Sequence, residues 1–417
     1  MEIYKFGGAS VRDAVSLDNV ANIVRIKDNL WIVVSAIGKT TNALEILVKS
    51  WFNNLPDKIN QYNSVREFHL NYIDEAFGES SSSVKEKIGV YFEQVYTIIS
   101  ENAGTNYDMA YDKIVSYGEL FSTLIFSEYL KLKGIENTFC DARDIIITDA
   151  NNRDAKILWN ESAESFAKHN FSSAGKYVIQ GFIGRSAEGT VTTLGREGSD
   201  YTASALAYLL NAESVSIWKD VPGIMNADPA WCDFAQKLDV LSYLEAIELA
   251  FFGAKAIHPK TIKPIENKNI PLYVKSFVNP SDPGTVIKKL DYKLKLIPVY
   301  ILKENQTLIS ISPKDFSFIV EENMSKIFGL FAKYKAKVNI TQNSAVSFSA
   351  SIDGDNRNFD SLIHDLQSEF FVKYNSGLEL ITIRYYNDEA IDKMISGKKV
   401  LMEQRSRSTA RFLVADL

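Results

Sequence analysis

Short apolar runs alternate with helical patterns through the first two thirds of the chain, and this alternation constrains the fold more than any other feature. The runs are compact and unbroken, as expected for strands that are buried on both faces of a parallel sheet. The candidate strands are residues 3–6, 31–35, 145–148, 177–182, 215–218 and 272–275. Helical patterns lie between them, around 17–26, 119–132, 201–210 and 241–252. The pattern predicts an α/β fold with a mainly parallel central sheet, in which ligands bind at the carboxyl ends of strands.

The chain is long enough for more than one domain. Its 417 residues predict two or three domains at roughly 150 residues each. Residues 51–106 are helical and polar in composition, and we interpret them as a helical excursion from the sheet. A boundary is predicted at NPSDPG, residues 279–284, because its prolines and glycine continue neither a helix nor a central strand. Residues 1–285 are therefore assigned to the first domain.

In the remaining third of the chain the predicted strands and helices follow one another at shorter intervals. Its elements follow the order β-α-β-β-α, typical of a small ferredoxin-like α+β unit, and lie at residues 307–311, 327–334, 338–340, 346–352 and 359–366. A fainter second copy has its elements at 378–383, 388–395, 400–405 and 410–414. This copy lacks one strand, which the apolar run 299–302 could supply. The first module is assigned to 305–377, and the second, truncated module to 296–304 plus 378–417.

Charge and composition exclude several classes of function. The chain has 46 Lys and Arg against 52 Asp and Glu, with both signs interspersed, so it has no basic face for nucleic acid and no polybasic membrane anchor. No apolar run approaches the ~18 residues of a membrane span, and the amino-terminal sequence has no signal pattern. Cys140 and Cys232 match neither a disulfide framework nor a zinc site. We expect a cytoplasmic protein that binds neither nucleic acid nor membrane and has no metal site of its own.

Two strand-to-helix loops carry the residue types that bind anions. In the first, KFGGAS, a predicted strand ends in Gly7 and Gly8 and leads into a helix. Such a loop presents backbone amides to phosphate oxygens, and Lys5 can place an ammonium group beside them, with the Ser10 hydroxyl nearby. Taken alone, a Gly-Gly turn after a strand is more often structural than functional. The loop is neither a Walker loop nor a dinucleotide fingerprint.

The second loop is TTLGREGSDYTA, which begins at Thr192. Its two glycines allow the backbone to approach a ligand closely, and Arg196 adds a guanidinium suited to a carboxylate or phosphate. Ser199 or Asp200 is the predicted N-cap of the helix that follows, where amides lack intrahelical partners. The alternative is a capped structural helix after a turn. Two such loops on one sheet, with a lysine, an arginine and an acid between them, indicate phosphoryl transfer.

The order of motifs along the first 285 residues resembles that of aspartate kinases of the amino acid kinase family. The matching segments are KFGGAS, VVSAIGKTTNAL, SYGELFS, QGFIG, TTLGREGSDYTA, IWKDVPGIMNADP, FFGAKAIHPKTIKP and NPSDPGT. The tail resembles the paired ACT modules of the same enzymes. The resemblance implies an amino acid kinase-like three-layer fold, followed by ferredoxin-like ACT modules. It also implies transfer of the γ-phosphoryl group of ATP, bound with Mg²⁺, to the β-carboxylate of L-aspartate.

The resemblance and the chemistry of the two loops together assign the site residues. Lys5 and Asp200 would be catalytic, with Lys5 stabilising the transferring phosphoryl group and Asp200 organising Lys5. Arg196 would bind the α-carboxylate of aspartate and Glu119 its α-ammonium, although Glu119 is also an ordinary first-turn helix acid. The other substrate-binding residues would be Ser35, Thr41, Phe182 and Ser199. The residues assigned to the nucleotide are Gly7, Gly8, Ser10, Ser216, Lys219, Asp220, Met225 and Lys255.

The sequence departs from the family pattern at Ala9, Glu197, Lys219, Met225 and Ala230. Glu197 puts an acid beside the anion site, and the loss of an aromatic residue at 225 and of an arginine at 230 bears on nucleotide affinity. Two alternatives therefore stay open, a catalytically silent amino-acid sensor and a kinase for another acidic amino acid. Retention of the four residues assigned to catalysis and to the charges of aspartate favours the aspartate kinase.

For the tail, the resemblance implies either an amino-acid effector site or a dimerisation module without an effector. Glu322 and Asn323 stand where lysine-sensitive relatives show a Gly-Phe pair. Asn339 stands where they carry an Asp that could meet the effector's ammonium group. Because the sheet of such a module leaves edges that pair between chains, we predict a homodimer or a dimer of dimers.

Overall fold

The computed structural model describes residues 1–172, 174–254, 257–292, 297–315 and 317–417. The chain divides into two units. The first comprises Met1–Ile224, Lys237–Phe251 and residues 257–292, and the second comprises Met225–Gln236, Phe252–Ala254 and the described residues from 297 onwards. Two segments that the sequence analysis assigned to the first domain, 225–236 and 252–254, therefore group with the second unit.

A mainly parallel sheet forms the centre of the first unit. The strands of this unit are β1 (Glu2–Phe6), β2 (Asn29–Val34), β3 (Thr138–Cys140), β4 (Ile147–Thr148), β5 (Gly175–Gln180), β6 (Ile183–Ser186), β7 (Val191–Thr193), β8 (Ser214–Lys219), β9 (Val240–Leu241), β10 (Leu272–Ser276) and β11 (Thr285–Ile287). Eight of them form one sheet in the order β3-β5-β2-β1-β8-β10-β11-β9. Its strands pair in parallel except at β10 and β11, which are antiparallel. The predicted α/β fold with a mainly parallel central sheet is confirmed.

Helices cover this sheet and build the excursion. They are α1 (Ala14–Arg25), α2 (Thr40–Phe52), α3 (Lys58–Phe77), α4 (Ser81–Ser100), α5 (Tyr107–Val115), α6 (Tyr117–Leu132), α7 (Trp159–Lys168), α8 (Gly198–Leu210), α9 (Tyr243–Phe252) and α10 (Pro259–Glu266). Helices α3 and α4 fill the predicted excursion and pack on each other and on α6, which returns to the sheet at β5. Among the described residues, no helix has the length and apolar character needed to cross a lipid bilayer.

The two faces of β1 serve different purposes. Alternate residues of a strand point to opposite faces of its sheet. Lys5 lies on the face against which α8 packs, and α8 also contacts the neighbouring strands β2 and β8. Tyr4 lies on the other face, where it lines a groove together with Ile23 of α1. The central sheet therefore lies between helices on both sides, and α8 is the helix that reaches Lys5.

A small separate sheet contains three strands in the order β4-β6-β7. The sequence analysis placed residues 145–148 in the central sheet, and this was wrong because β4 pairs with β6 instead. A short apolar run shows that a strand is buried without showing which sheet buries it. The run 177–182 also ends earlier than predicted: β5 stops at Gln180, and Phe182 has a left-handed backbone (φ 70°) between β5 and β6.

The second unit is built on one antiparallel sheet. Its elements are β12 (Val299–Pro313), α11 (Glu321–Lys333), β13 (Val338–Asn343), β14 (Phe348–Asp353), α12 (Phe359–Glu369), β15 (Phe370–Arg384), α13 (Asp388–Ile395), β16 (Lys398–Arg405) and β17 (Thr409–Asp416). The strand order is β13-β14-β12-β15-β17-β16. Strands β12 and β15 run through both predicted modules, so the two modules share one sheet. Residues 299–303 of β12 pair with 380–384 of β15, beside the elements predicted for the second module.

Separate clusters of apolar side chains lie in the two halves of this unit. One cluster includes Ile309, Phe331 and Leu362, from β12, α11 and α12. The other includes Ile391 and Phe412, from α13 and β17. Each half therefore has a core of its own, as two ferredoxin-like modules require.

Candidate active site

The carboxyl ends of β5, β2, β1 and β8 meet at one edge of the central sheet. Ligands of open α/β sheets bind at such an edge, where the strand order reverses. A cavity of about 450 Å³ opens there. The predicted site residues that line it are Lys5, Ser35, Thr41, Glu119, Phe182, Arg196, Ser199, Asp200 and Lys219. Residues from both predicted anion-binding loops therefore share one cavity.

Lys5 and Asp200 form a buried ion pair in this cavity. Lys5 is 9% exposed and Asp200 only 2%. Lys5 Nζ lies 2.6 Å from Asp200 Oδ1, and Lys219 Nζ lies 3.7 Å from Asp200 Oδ2. Burial opposes the charge on Asp200, but the two ammonium groups outweigh it and hold the pKa of this carboxyl below its usual value. Asp200 is therefore ionised at neutral pH and fixes the position of the Lys5 ammonium.

Helix α8 begins at the cavity, and its first-turn Asp200 N–H donates a 3.1 Å hydrogen bond to the Glu197 carbonyl. A tight turn precedes it, closed by a 3.0 Å hydrogen bond from the Gly198 N–H to the Gly195 carbonyl. Gly198 packs against Phe182, and a Cβ added to Gly198 would lie 2.7 Å from Cδ2 of that ring. Glycine therefore allows the start of the helix to approach the end of β5 closely.

The N-cap of α8 differs from the prediction. Ser199 or Asp200 was expected to cap the helix, and this was wrong: Glu197 occupies the N-cap position and makes no capping hydrogen bond through its side chain. The reason is the preceding tight turn, which starts the helix at Gly198. Ser199 and Asp200 instead lie in the first turn, where the Asp200 carboxylate can pair with Lys5.

Glu119 brings a second buried carboxyl to the cavity from the first turn of α6. Glu119 is 3% exposed, and its Oε1 accepts a 3.2 Å hydrogen bond from the Ala36 N–H. Its Oε2 is buried without a hydrogen-bond partner among the described residues. Burial raises the pKa of Glu119 to about 8, and the Ala36 hydrogen bond and Lys5 offset this only in part. A ligand ammonium would supply the missing partner and stabilise the ionised carboxylate.

Three residues that line the cavity have left-handed backbone conformations although none is glycine. They are Arg153 (φ 65°), Phe182 (φ 70°) and Glu197 (φ 54°). Such a conformation costs a non-glycine residue roughly 1–2 kcal/mol. Most of the other described non-glycine residues with positive φ are asparagines, which tolerate it best. Strain that is retained at a cavity indicates that these side chains are used there.

Two of the residues that line the cavity were not identified from the sequence. Tyr111 lies on α5 and Arg153 in the loop after β4, segments without a phosphate-binding motif. Glu197 was noted only as a substitution, and it too lines the cavity. Arg153 stands in the polar run NNRD, which is typical of a turn and carries no signal of a ligand. Only the folded chain brings it beside the second loop.

The glycines and the serine of the first loop do not line the cavity. Gly8 is required by packing, because an added Cβ would lie 2.7 Å from the carbonyl oxygen of Ala36, in the loop after β2. Gly7 directly follows β1, and Ser10 is 1% exposed. The Ser10 hydroxyl has no hydrogen-bond partner within the described ranges. Assignment of these three residues to the nucleotide stays a prediction.

The structure places Ser216 away from the cavity. Along β8, Lys219 points to the cavity, whereas Ser216 and Trp218 point to the opposite face and line the groove beside Tyr4. The assignment of Ser216 to the same nucleotide site as Lys219 was therefore wrong, because residues an odd number of positions apart on a strand face opposite sides.

Asp220 and Met225 do not line the cavity either. Asp220 follows β8 and is exposed. Met225 belongs to the second unit, and Lys255 lies outside the described residues. In the part of the chain that the structure describes, no cluster of three or more His, Cys, Asp or Glu side chains is arranged to hold a metal ion.

Comparison with known proteins bears on the same region of the chain. The profile of the amino acid kinase family matches residues 1–276, which contain every element of the cavity. The chain belongs to the amino acid kinase family. Lysine-sensitive aspartokinase 3 of Escherichia coli is 31% identical over 396 residues, covering 91% of this chain and 86% of that protein. Chloroplastic aspartokinase 1 of Arabidopsis thaliana is 31% identical over 366 residues, covering 84% of this chain and 63% of the plant protein.

Solved structures of this family resemble the whole chain. Aspartokinase III of E. coli, in complex with aspartate and ADP, covers 99% of this chain and 96% of its own, with a TM-score of 0.84 and 28% identity. Aspartate kinase of Clostridium acetobutylicum covers the same shares with a TM-score of 0.79 and 25% identity. The likeness extends over both units, and confirms the predicted amino acid kinase fold followed by the ACT region.

Proposed function

We propose that this member of the amino acid kinase family is an aspartate kinase, which transfers the γ-phosphoryl group of ATP to the β-carboxylate of L-aspartate. The product is 4-phospho-L-aspartate, the first intermediate towards lysine, threonine and methionine. Relatives that cover most of the chain are named aspartokinases, and one solved relative is described with aspartate and ADP. The charges of the cavity fit both substrates.

The observation that carries this proposal is the buried Oε2 of Glu119, which no described residue pairs, in a cavity that otherwise attracts anions. An α-amino acid has an ammonium group that a simple phosphate or carboxylate lacks. Glu119 provides a partner for this ammonium, while Arg196 provides a guanidinium for the α-carboxylate. The cavity therefore has groups for both charges of the amino-acid backbone, and Lys5 remains for the reacting end.

The phosphoryl transfer needs positioning and positive charge more than proton transfer. The β-carboxylate is ionised at neutral pH, so it can attack the γ-phosphorus without a general base. A carboxyl oxygen–phosphorus bond forms, and the bond from the γ-phosphorus to the oxygen bridging the β- and γ-phosphates breaks, which releases ADP. Lys5 and the positive end of the α8 dipole would stabilise the charge on the transferring oxygens. Asp200 would act by holding Lys5 in place.

The nucleotide would bring the remaining charge. Lys219 is the cavity residue best placed for its phosphates, and we assign Gly7, Gly8, Ser10, Asp220, Met225 and Lys255 to the same nucleotide as proposals that rest on the family motifs. Mg²⁺ would arrive with the phosphates and neutralise part of their charge.

The second unit is proposed to be a regulatory and dimerisation region made of two ACT modules. One solved relative, aspartokinase III of E. coli, is described with lysine and aspartate. Here the Asn339 amide is occupied within the protein: it donates to Gln306 (2.7 Å) and Asp353 (2.6 Å) and accepts from Lys303 (2.8 Å). We therefore propose that lysine inhibits this enzyme weakly.

Glu322 and Asn323 stay assigned to the effector region. The proposed dimer assembly is testable by light scattering.

Trapping of the acyl phosphate tests the catalytic proposal. Purified protein with ATP, Mg²⁺ and L-aspartate is expected to form a product that hydroxylamine converts to the hydroxamate. Parallel reactions with L-glutamate separate an aspartate kinase from a kinase for another acidic amino acid. A silent sensor would release no ADP at any aspartate concentration, and that result would reject the proposal.

A further inference from the structure

We propose that Arg153 is a specificity-determining residue of this site, whose guanidinium binds the α-carboxylate of the amino-acid substrate together with Arg196. This role rests on the aspartate kinase function proposed above. It assigns a substrate contact to the loop after β4, a segment that the motifs of the sequence do not include. Three features indicate this role: the position of the guanidinium, the way in which its backbone is held and the charge of the substrate that remains to be bound.

The guanidinium of Arg153 lies on the wall of the cavity with donors to spare. Its Cζ is 4.4 Å from the centroid of the Tyr111 ring, and both residues line the cavity. Its Nη1 donates a 3.0 Å hydrogen bond to Asp108, and no other hydrogen bond of the guanidinium to a described residue is found. The remaining N–H groups can therefore bind a ligand. The side chain is 45% exposed, so a ligand can reach it.

The backbone of Arg153 is held in its strained conformation by a buried carboxylate. Its N–H donates to both oxygens of Asp112, at 3.2 and 3.3 Å. Asp112 is fully buried, and it also accepts from the Thr193 hydroxyl (2.6 Å) and N–H (3.1 Å) and from the Asn152 amide (2.8 Å). The loop is therefore tied to α5 and β7. A glycine would adopt this φ without strain, so the presence of an arginine indicates a use for its side chain.

The loop of Arg153 adjoins the turn that carries Arg196. A Cβ added to Gly195 would lie 2.8 Å from Asp154 Oδ1 and 3.0 Å from the carbonyl oxygen of Arg153. The two guanidinium groups therefore come from backbone segments in direct contact. The two lysines of the cavity pair with Asp200. Arg153 and Arg196 are therefore the cations of the cavity best able to donate hydrogen bonds to a carboxylate.

The chemistry of the substrate indicates which of its charges reaches Arg153. The β-carboxylate must face Lys5, where the phosphoryl group is transferred, and the α-ammonium goes to Glu119. The α-carboxylate shares a carbon with the ammonium, so it must lie near Glu119 and away from Lys5. Tyr111 lies near both places: burial chiefly raises its pKa, its 2.7 Å hydrogen bond to Glu45 raises it further, and the charges of Arg153 and Glu119 also act on it. A planar guanidinium at that position binds a carboxylate through two parallel hydrogen bonds.

A comparison of two ligands that differ only in the α-carboxylate tests this role. β-Alanine keeps the ammonium and the reacting carboxylate of aspartate and lacks the α-carboxylate. We expect Arg153→Gln to raise the KM for L-aspartate about 10-fold to 100-fold, because a charge-assisted contact is lost, with kcat changed far less. The inhibition constant of β-alanine against L-aspartate should stay within about twofold of wild type. Equal weakening of both ligands, or an unchanged KM for aspartate, would overturn the proposal.

Three further variants separate substrate binding from structure. Asp108→Asn removes the ion pair of Arg153 and keeps the guanidinium, so it should leave aspartate binding intact; if it reproduces the loss, Arg153 acts only through its fold. Arg153→Gly relieves the backbone strain, and it should weaken aspartate binding in a protein that melts no lower than wild type. Arg25→Gln, on α1, matches the change of charge outside the cavity and should have no effect. If wild-type protein turns over no aspartate, the proposed function fails first, whereas a failure confined to Arg153→Gln rejects only this inference.

Discussion

The two ends of the cavity hold buried carboxyls that behave in opposite ways. Asp200 is 2% exposed and Glu119 is 3% exposed, so burial disfavours the charge of both. Two lysines reverse this effect at Asp200 and lower its pKa, with the nearer ammonium at 2.6 Å. At Glu119 the hydrogen bonds from the Ala36 and Glu119 backbone N–H groups and the charge of Lys5 do not outweigh burial, and the pKa rises to about 8.

The difference shows which end of the cavity is complete within the protein. The phosphoryl end already contains its counter-ions, so its electrostatics are fixed before any ligand binds, as preorganised catalysis requires. The amino-acid end contains a carboxyl without its cation, and the substrate's ammonium supplies it. Asp200 and Glu119 are buried to a similar degree. Their partners therefore determine whether the carboxyl is permanently ionised or binds the ammonium group of a ligand.

Removal of the fixed cation should have the largest effect on activity. Lys5→Ala is expected to lower kcat by about 1,000-fold, because the transferring oxygens lose a preorganised positive group and Asp200 keeps only the 3.7 Å contact with Lys219. Steady-state rates with saturating ATP and aspartate measure this. Lys27→Ala, which breaks the surface pair with Glu2, is the matched control. A change of similar size in both variants would contradict a catalytic role for Lys5.

Removal of the Glu119 carboxylate should affect aspartate binding more than turnover. Glu119→Gln is expected to raise the KM for aspartate about 10-fold to 100-fold and to leave the KM for ATP unchanged, since only the ammonium loses its charged partner. Glu128→Gln removes a carboxylate from the same helix outside the cavity and serves as the control. If both KM values rise together in Glu119→Gln, the carboxyl supports the whole site instead of the amino-acid end.

The raised pKa also predicts how stability depends on pH. Glu119 is protonated in the folded state up to its raised pKa of about 8, whereas in the unfolded chain it ionises near its ordinary pKa of 4.5. Unfolding therefore releases this proton between those values, and the Glu119 contribution makes the folded state less stable as pH rises through that window. Urea midpoints at several pH values should fall more steeply for wild type than for Glu119→Gln. Parallel curves for the two proteins would show that the carboxyl is ionised when folded.

Both buried carboxyls could be placed at the cavity from the sequence, because each belongs to a helix-starting motif that resembles one of the amino acid kinase family. SYGELFS begins a helix at the sheet edge, and TTLGREGSDYTA begins another. The alternation of strands and helices predicted the parallel sheet for the same reason. Where a short segment determines its own conformation, one sequence was sufficient.

The errors and omissions depend on tertiary structure. Ser216 lies on the opposite face of β8 from Lys219, and of the predicted strand 145–148 only 147–148 form a strand, in a sheet that the pairing of β4 with β6 defines. Arg153 and Tyr111 come to the cavity from segments 39 and 81 positions before the start of the second loop in sequence. What joins them to the site is the hydrogen bonding of Asp112, which no local pattern predicts.

The third carboxyl of the cavity allows the smallest and finest test. Glu197 differs from Asp200 and Glu119 because it is only partly buried and its backbone is left-handed. Its Oε2 has no partner among the described residues. Glu197→Gly should stabilise the fold by about 1 kcal/mol, because glycine adopts φ 54° without strain. Glu197→Ala removes the same carboxyl and keeps the strain, so the difference between their thermal midpoints isolates the backbone term. Equal midpoints would mean that loss of the carboxyl, and not relief of the backbone strain at residue 197, changes the stability of the second loop.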